Sequence, residues 1–205
     1  MAIKLTKNEQ KIQKDKLKQF QRYLPTLQLK KQQLQSVITK VYEELEKKQQ
    51  EKQVMIGDLD DWIAVFCENK VFDAKLKLDN LVWPDKVECD TENIAGVFVP
   101  VFRKLTFKKI EYDIESYPLW VDTSIIKLRE IARLDALVKT LKERARLLER
   151  ELRFTSQRVN LFEKVKIPET KENIRVIGVY LGDQQTAAVV RGKIAKKKLT
   201  EVAHD

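Results

Sequence analysis

Two stretches at opposite ends of the chain, residues 17–48 and 131–162, repeat apolar side chains at alternating steps of three and four positions. The first stripe consists of Leu17, Phe20, Leu24, Leu27, Leu34, Ile38, Val41 and Leu45, with Lys31 as a polar break. The second consists of Ile131, Leu134, Val138, Leu141, Ala145, Leu148, Leu152, Val159 and Phe162, broken at Thr155. A stripe two positions wide in seven is a coiled-coil seam, so each helix needs one main partner. The sequence therefore predicts a mostly α-helical fold in which the two ends form a long antiparallel two-helix coiled coil.

The first helix has a recognisable start. Thr6 followed by Glu9 three residues later predicts an N-cap with a capping box, and the helical pattern continues at least to Gln53. Pro25 lies inside this helix, and proline in a helix interior usually bends the axis. Because the seam keeps its phase across Pro25, we expect a bent but continuous helix, with Gly57 allowing a bend near its end.

The middle of the chain changes character. Helical spacing continues to about residue 69, and residues 81–107 are then rich in Val, Phe and Ile around a polar turn, which predicts two short strands. Pro84 and Pro100 restrict these strands to a sheet edge or a bulge. An isolated hairpin is marginally stable in water, so its apolar side is expected to rest on the helices or on a partner protein.

The last helix is expected to resume after Asp122 or Thr123, either of which can cap it, and to extend from about Ser124 to about Lys198. This helix is longer than the first one. If residue 55 faces about residue 125 in an antiparallel pair, residue 5 faces about residue 175, and everything beyond overhangs. The overhanging end contains several small residues and finishes in lysines.

Charge divides the chain into three segments. Residues 1–57 carry 13 Lys+Arg against 6 Asp+Glu, residues 58–123 carry 8 against 14, and residues 124–205 carry 19 against 11. We interpret these segments as an N-terminal coiled-coil arm, a middle helix and β-hairpin module, and a C-terminal arm with an overhanging basic end. Basic helices suit nucleic acid, an anionic membrane surface or an acidic protein sleeve, although solvated coiled-coil flanks are equally consistent with such residues.

The sequence lacks the features of a catalytic or cofactor site. It has no phosphate-binding GxxxxGK[ST] loop, and its one histidine, His204, lies at the end of the chain, so we expect no nucleophilic triad. Cys67 and Cys89 lie apart without CxxC spacing, which argues against a disulfide or a metal site. No apolar stretch suits a membrane span or a signal peptide, so we expect a cytoplasmic protein that reaches a membrane only through partners.

Two motifs point to a family. The segment ENIAGVFVPVF at 92–102 is similar to the N-x-x-G-V-x-[LV]-P-V-F stretch, and RVNLFEKVKIP at 158–168 is similar to the R-V-N-A-[LI]-E-x-x-x-I-P signature, of the D subunits of the V-type/A-type rotary ATPases. The opening residues also resemble that family's N-terminal arm. Gln157 and Leu161 depart from the usual Arg and Ala, and after Ile174 smaller, more apolar residues replace a Glu-rich helix.

This resemblance implies a central rotor shaft rather than an enzyme. In the family, the two arms insert into a hexamer of catalytic A and B subunits, which holds the ATP sites. The middle module lies with the F subunit and contacts the stalk component that caps the membrane ring. The expected function is to couple ATP hydrolysis or synthesis to ion translocation, at the cytoplasmic face of the membrane, with no cofactor and no direct nucleic-acid contact.

Within that framework we expect three groups of interaction or structural residues. The first surrounds the second seam: Arg158, Val159, Asn160, Phe162, Glu163, Ile167 and Pro168. Its polar members would face a partner or fix the helix register. Phe162 and Ile174 lie twelve residues apart, which is not a heptad step, and this predicts a kink near Pro168. The other two groups are Gly96 and Pro100, which shape the hairpin and are expected to help bind the F subunit or regulate hydrolysis, and the basic end, Lys196, Lys197 and Lys198.

Three other functions fit parts of the sequence. An F-type gamma axle shares the two-arm plan but encloses a larger domain than about 65 residues allow. A coiled coil that binds nucleic acid would lose affinity steeply with salt. A scaffold coiled coil would leave the turnover of every enzyme unchanged.

Overall fold

The computed structural model describes residues 3–60, 82–108 and 120–202. Its elements are helix α1 (Lys7–Asp60), strand β1 (Pro84–Ile94), strand β2 (Val97–Phe107), helix α2 (Trp120–Asn160), a π-helical segment (Leu161–Lys166) and helix α3 (Ile167–Val202). The described part of the chain is mostly α-helical with one antiparallel two-stranded sheet, as the sequence predicts. The predicted helical spacing between residues 61 and 69 lies outside the described residues. Within those residues, no helix is long and apolar enough to cross a membrane.

The chain divides into two compact units. The terminal unit consists of Met1–Lys31 with Phe154–Asp205, and the central unit consists of Gln32–Arg153. Each unit therefore contains part of α1 and part of the helical second half of the chain. The division of the chain by charge at residues 57 and 123 stays a prediction.

Helix α1 starts as predicted, but its capping box is only half formed. The backbone N–H of Glu9 donates to Thr6 Oγ1 at 3.2 Å, so Thr6 is the N-cap. The Glu9 carboxylate does not complete the box. It accepts a hydrogen bond from Gln13 Nε2 at 2.8 Å, and the Thr6 N–H donates to the Lys4 carbonyl. The helix continues through Pro25 to Asp60, which confirms the predicted continuity, and it passes through Gly57 rather than ending there.

The core of the central unit is the predicted seam. One buried cluster joins side chains from α1, α2 and β2: Leu34, Ile38, Val41, Leu45, Leu141, Ala145, Leu148 and Val99. Polar contacts flank this seam. Tyr42 Oη donates to Glu149 Oε1 at 2.7 Å, and Lys52 Nζ donates to Asp135 Oδ1 at 2.6 Å. Because the partner's number falls as the α1 number rises, α1 and α2 are antiparallel in this unit.

The hairpin rests on these helices, which is one of the two supports predicted for it. Val99 on β2 is completely buried in the helical cluster, whereas its neighbour Phe98 is 68% exposed. At the base of the hairpin, the Phe107 ring lies 5.6 Å from the guanidinium carbons of Arg129 and Arg133. Each strand has 11 residues, more than the short strands predicted. The helices therefore supply the apolar support that an isolated hairpin lacks.

Helix α2 is already formed at Trp120, so the predicted caps at Asp122 and Thr123 are wrong. Both residues lie in the first turn of the helix. Val121 and Ser124 are buried there, and Ser124 Oγ donates to the Trp120 carbonyl at 2.9 Å. Burial of Val121 favours helical structure before the predicted caps, while Asp122 still places an acidic group at the positive end of the helix dipole.

The terminal unit is also an antiparallel pair. The rings of Phe20 on α1 and Phe162 in the π-helical segment stack with centroids 5.3 Å apart. Nearer the start of α1, the Gln10 side chain lies beside Gly178, 3.4 Å from where a Cβ would stand. The predicted pairing sets residue 20 against about residue 160, within two residues of the observed Phe20–Phe162 contact. It sets residue 10 against about residue 170, so only the contact at Gly178 departs from it, by about two helical turns.

Candidate functional site

The most distinctive local structure lies in the motif that carries the family resemblance. Between α2 and α3, the chain widens into the π-helical segment Leu161–Lys166, and the backbone N–H of Ile167 donates to the Phe162 carbonyl, five residues back. Pro168 follows directly. Proline has no N–H to donate to the carbonyl of Lys164, four residues earlier, and its ring would clash with that carbonyl in a regular helix. The wider turn therefore lies where a regular α-helix is most disfavoured.

The seam of the terminal unit changes phase across this segment. Buried Thr155 and Val159 and half-buried Phe162 and Lys166 follow steps of four, three and four. The next step of three would bury Glu169. Instead, Glu169 is exposed and Thr170, one residue later, is 4% exposed. The seam thus contains one extra residue at the π-helical segment.

Two details of the predicted stripe are wrong. The sequence predicts a break in the seam at Thr155, yet this residue is 2% exposed and belongs to the seam. It also predicts that Ile174 continues the seam, but Ile174 is only half-buried and Ile177, completely buried, occupies the seam position. Both differences have a packing cause, since a threonine methyl group fits an apolar seam and the extra residue moves the buried face along α3.

One aromatic contact fastens the segment to α1. Phe162 stacks on Phe20 with an angle of 29° between the ring planes. Such a pair contributes about 1 kcal/mol beyond the burial of its surface. No residue within Leu161–Lys166 is fully buried, and the stack joins the half-buried Phe162 to α1.

The predicted polar residues near the segment all face outward. Arg158, Asn160 and Glu163 are exposed, and within the described part of the chain none of them makes a side-chain hydrogen bond or ion pair. Leu161 and Val165 lie among them and are 45% and 48% exposed. We call these five residues the π outer face. Its members do not fix the helix register by bonding to one another, so the structure leaves their polar groups open to a partner.

The other predicted members of this group differ in exposure. Val159 is buried in the seam, Phe162 and Ile167 are half-buried, and Pro168 is exposed. Two bonds join the end of the segment to α3: Lys166 Nζ contacts Glu169 Oε2 at 3.1 Å, and Thr170 Oγ1 donates to the Lys166 carbonyl at 2.6 Å. The segment's C-terminal end is therefore held by local bonds.

The basic end is a helix with its side chains in solvent. Every residue from Ala188 to Leu199 is exposed, including the predicted Lys196, Lys197 and Lys198. The apolar side chains between and beside these charges are exposed too: Val189, Val190, Ile194 and Leu199. At the start of this stretch, a groove of about 430 Å³ separates Lys7 and Gln10 of α1 from the small residues Gly178, Gly182 and Ala188 of α3. The end thus combines positive charge with uncovered apolar surface.

The hairpin turn requires glycine. Ala95 and Gly96 both have positive φ, 51° and 82°, which is the type I′ geometry that matches the twist of a hairpin. Asn93 Oδ1 accepts a hydrogen bond from the Gly96 N–H at 2.9 Å. Pro100 pairs with Thr91 in a sheet that has two strands among the described residues, and proline is tolerated on such edge strands.

Two electrostatic contacts stiffen the helix pair of the central unit. Hydrogen bonds from Lys139 and then from Lys52 lower the pKa of Asp135 below its ordinary value. In the second contact, the hydrogen bond from Tyr42 to Glu149 raises the pKa of the Tyr42 phenol. Both carboxylates therefore act as cross-links between α1 and α2.

The exposed apolar and charged side chains of the described ranges offer recognition surfaces. In the ranges 3–60, 82–108 and 120–202, no group of three or more His, Cys, Asp or Glu side chains is placed to hold a metal ion. Cys89 is a free, exposed thiol, while Cys67 and His204 lie outside these ranges. The candidate functional site therefore consists of the π outer face, the basic end and the hairpin.

Sequence reasoning missed the π-helical segment and the exposed apolar pair Leu161 and Val165. A signal for the first was present, because Pro168 lies at a phase change of the stripe. No signal separated Leu161 and Val165 from seam residues, since a leucine or valine near a seam is usually buried.

Comparison with known proteins identifies relatives along almost the whole chain. The sequence model of the ATP synthase D-subunit family matches residues 9–197. The chain is 49% identical to the D subunit of the V-type ATP synthase of Borreliella burgdorferi, covering 96% of this chain and 95% of that protein. It is 37% identical to the V-type ATP synthase D subunit of Chlamydia caviae and 35% identical to that of Chlamydia pneumoniae, covering 97% of this chain and 94% of each relative.

Proposed function

Because the chain belongs to the ATP synthase D-subunit family and is a stalk component of a V-type rotary ATPase, we propose that it is the central shaft and catalyses no reaction itself. The observation that carries this proposal is the antiparallel helix pair present in each compact unit, with apolar and charged side chains left exposed along it. A shaft needs a stiff body that other proteins grip. It transmits ATP hydrolysis or synthesis in the catalytic hexamer to ion movement through the membrane ring.

The basic end is the part we propose to enter the hexamer of catalytic A and B subunits. Its side chains from 188 to 199 are exposed, and apolar residues such as Ile194 and Leu199 lie among the lysines. Apolar surface of this kind is costly in water and is covered when a helix enters a sleeve. Positive charge adds attraction to an acidic lining and speeds association.

The π outer face is the second proposed contact with the hexamer. Arg158, Asn160 and Glu163 offer hydrogen-bonding groups that are not used within the described chain, and Leu161 and Val165 add apolar surface. Polar groups around a small apolar patch are typical of protein interfaces. In this proposal the ATP sites belong to the hexamer, which the shaft biases by presenting a different face to each site in turn.

The hairpin is the proposed contact for the remaining stalk partners, which are the F subunit and the component that caps the membrane ring. Phe98 and Val87 are exposed on it, at 68% and 47%, and Gly96 and Pro100 set its shape. We propose that the protein lies at the cytoplasmic face of the membrane through these partners, without direct contact with nucleic acid.

Reconstitution with the catalytic hexamer tests the proposal. The full chain, added to purified A and B subunits of the same ATPase, should elute with the hexamer and change its rate of ATP hydrolysis. Replacing Lys196, Lys197 and Lys198 by glutamate should weaken this binding about tenfold or more at low salt, because the reversed charges oppose association.

The matched control reverses three exposed lysines of the central unit, Lys86, Lys104 and Lys127, which changes the net charge equally. This control should bind the hexamer within about threefold of the unmodified chain. Failure of the unmodified chain to bind or to alter the rate would refute the shaft. Equal weakening by both triple variants would refute the specific role of the basic end.

A further inference from the structure

The π-helical segment is an insertion relative to the seam. Before the segment, seam positions advance by alternating steps of three and four residues. After Lys166 the next step should be three, which would bury Glu169, but it is four, and Thr170 is buried instead. After it, Thr170 and Ile177 are again seven residues apart and both are buried. A wider turn accommodates one extra residue without disturbing the helix on either side.

The flanks hold this insertion in place. Toward the N-terminus, moving the wide turn would rotate Val159, 4% exposed, out of the seam. Toward the C-terminus, Pro168 has no N–H, so the wide turn cannot pass it by exchanging hydrogen bonds in the ordinary way. The Phe20–Phe162 stack fixes the middle. The extra residue is therefore trapped between a buried side chain and a proline.

We propose that Leu161–Lys166 is a removable one-residue insertion and that it is the joint at which the helix pair of the terminal unit opens first. No residue within it is fully buried and the Phe20–Phe162 stack contributes about 1 kcal/mol, so less packing energy opposes opening here than at the flanks that carry buried Val159, Thr170 and Ile177. The residues to either side carry the burial. This proposal concerns the chain itself and does not depend on the catalytic hexamer.

The sequence indicates what would happen if the extra residue were removed. Deletion of exposed Lys164 brings Ile167 to the seam position now held by the half-buried Lys166. Thr170 and Ile177 then follow at regular steps, and the segment can become α-helical. Pro168 would interrupt that α-helix, so the deletion has to be combined with Pro168→Ala.

Four full-length proteins test the insertion: the unmodified chain, Pro168→Ala, Pro168→Ala with Lys164 deleted, and Pro168→Ala with Lys171 deleted. The two deletions remove the same residue type from exposed positions, but loss of Lys171 leaves Thr170 and Ile177 only six residues apart. We expect the Lys164 deletion to melt within about 3 °C of Pro168→Ala, and the Lys171 deletion to melt more than about 6 °C lower. Equal losses from the two deletions would overturn the insertion.

Hydrogen exchange of the unmodified chain tests the joint. The amides of residues 163–167 and 169 should exchange about tenfold or more faster than those of 155–159 and 173–178, because local opening begins at the segment. Equal protection of the three stretches from exchange would refute the claim that the helix pair opens first at this segment, even if the two deletions behave as expected. Neither measurement uses the hexamer, so these outcomes are independent of the proposed function.

Discussion

Replacing Val99 by alanine tests whether the hairpin is part of the central unit's core or merely lies near it. Val99 is completely buried among side chains of α1 and α2, including Leu34 and Leu141. Its neighbour Phe98 is 68% exposed on the opposite face of β2. The two residues are adjacent on one strand, so they form a matched pair that differs in burial.

The expected loss follows from the two methyl groups removed. Each buried methylene equivalent is worth about 0.8 kcal/mol, which gives about 1.6 kcal/mol for the transfer to water. A residual cavity of about 40 Å³ adds about 1 kcal/mol at about 24 cal/mol per Å³. Val99→Ala should therefore lower the free energy of unfolding by about 2–3 kcal/mol. Phe98→Ala removes more atoms but should change it by less than about 0.5 kcal/mol, since those atoms remain largely in water.

Urea unfolding followed by tryptophan fluorescence measures both values, because the three tryptophans of the sequence, at positions 62, 83 and 120, all belong to the central unit. The midpoint should fall for Val99→Ala while the slope m stays constant, which shows that stability rather than compactness has changed. In a thermal scan, the same loss corresponds to a melting temperature lower by about 4–12 °C. A larger effect at Phe98 than at Val99, or a loss below about 0.5 kcal/mol at Val99, would refute the packing of the hairpin on the helices.

Two further predictions concern backbone conformation and charge. Gly96→Ala should destabilise the central unit by about 1–2 kcal/mol in urea unfolding, because φ at Gly96 is 82°. The control Gly57→Ala lies inside α1 with nothing within 4 Å of the added Cβ and should stabilise the unit by about 0.5–1 kcal/mol. If both substitutions change the free energy of unfolding in the same direction, the positive φ of Gly96 is not the cause. Asp135→Asn should cost about 1 kcal/mol at pH 7 and low salt, a value reduced for solvent screening. Since folding lowers the pKa of Asp135, its contribution is present above the unfolded value of about 3.9 and is lost as the pH falls below it; a difference between the two proteins that persists undiminished at pH 2 would exclude this ion pair as its source.

Most of the aliphatic seam of the central unit was predictable from the sequence, although the predicted Ile131, Leu134 and Leu152 are only half-buried. All eight predicted positions from Leu34 to Leu45 and from Val138 to Leu148 are buried: Leu34, Ile38, Val41, Leu45, Val138, Leu141, Ala145 and Leu148. Periodicity predicts such residues because a large aliphatic side chain every three or four positions has only one face to bury. The hairpin was predictable for a similar reason, since Gly96 follows a polar stretch between two β-rich segments.

The terminal unit was less predictable because its seam contains residues of mixed character. Thr155 and Thr170 are buried although threonine is usually exposed, and Ile174 is less buried than Ile177. Sequence patterns fix a phase only where the residues on one face differ clearly from those on the next. The phase change near Pro168 was visible, but whether a kink or a wider turn absorbs it depends on the hydrogen bonding of the backbone, which side-chain patterns do not encode.

The different seams imply different stability in the two units. The central seam is almost entirely aliphatic, whereas the terminal seam buries Gln13, Thr155 and Thr170. Gln13 donates to Glu9, and Thr170 donates to the Lys166 carbonyl, so burial of these two groups does not leave them unpaired. Polar seam residues specify register at a cost in stability. The terminal unit, which we propose to bind the hexamer, therefore has the better specified helix register but the lower stability of the two units. Contacts with the surrounding hexamer would add stability to this less stable unit.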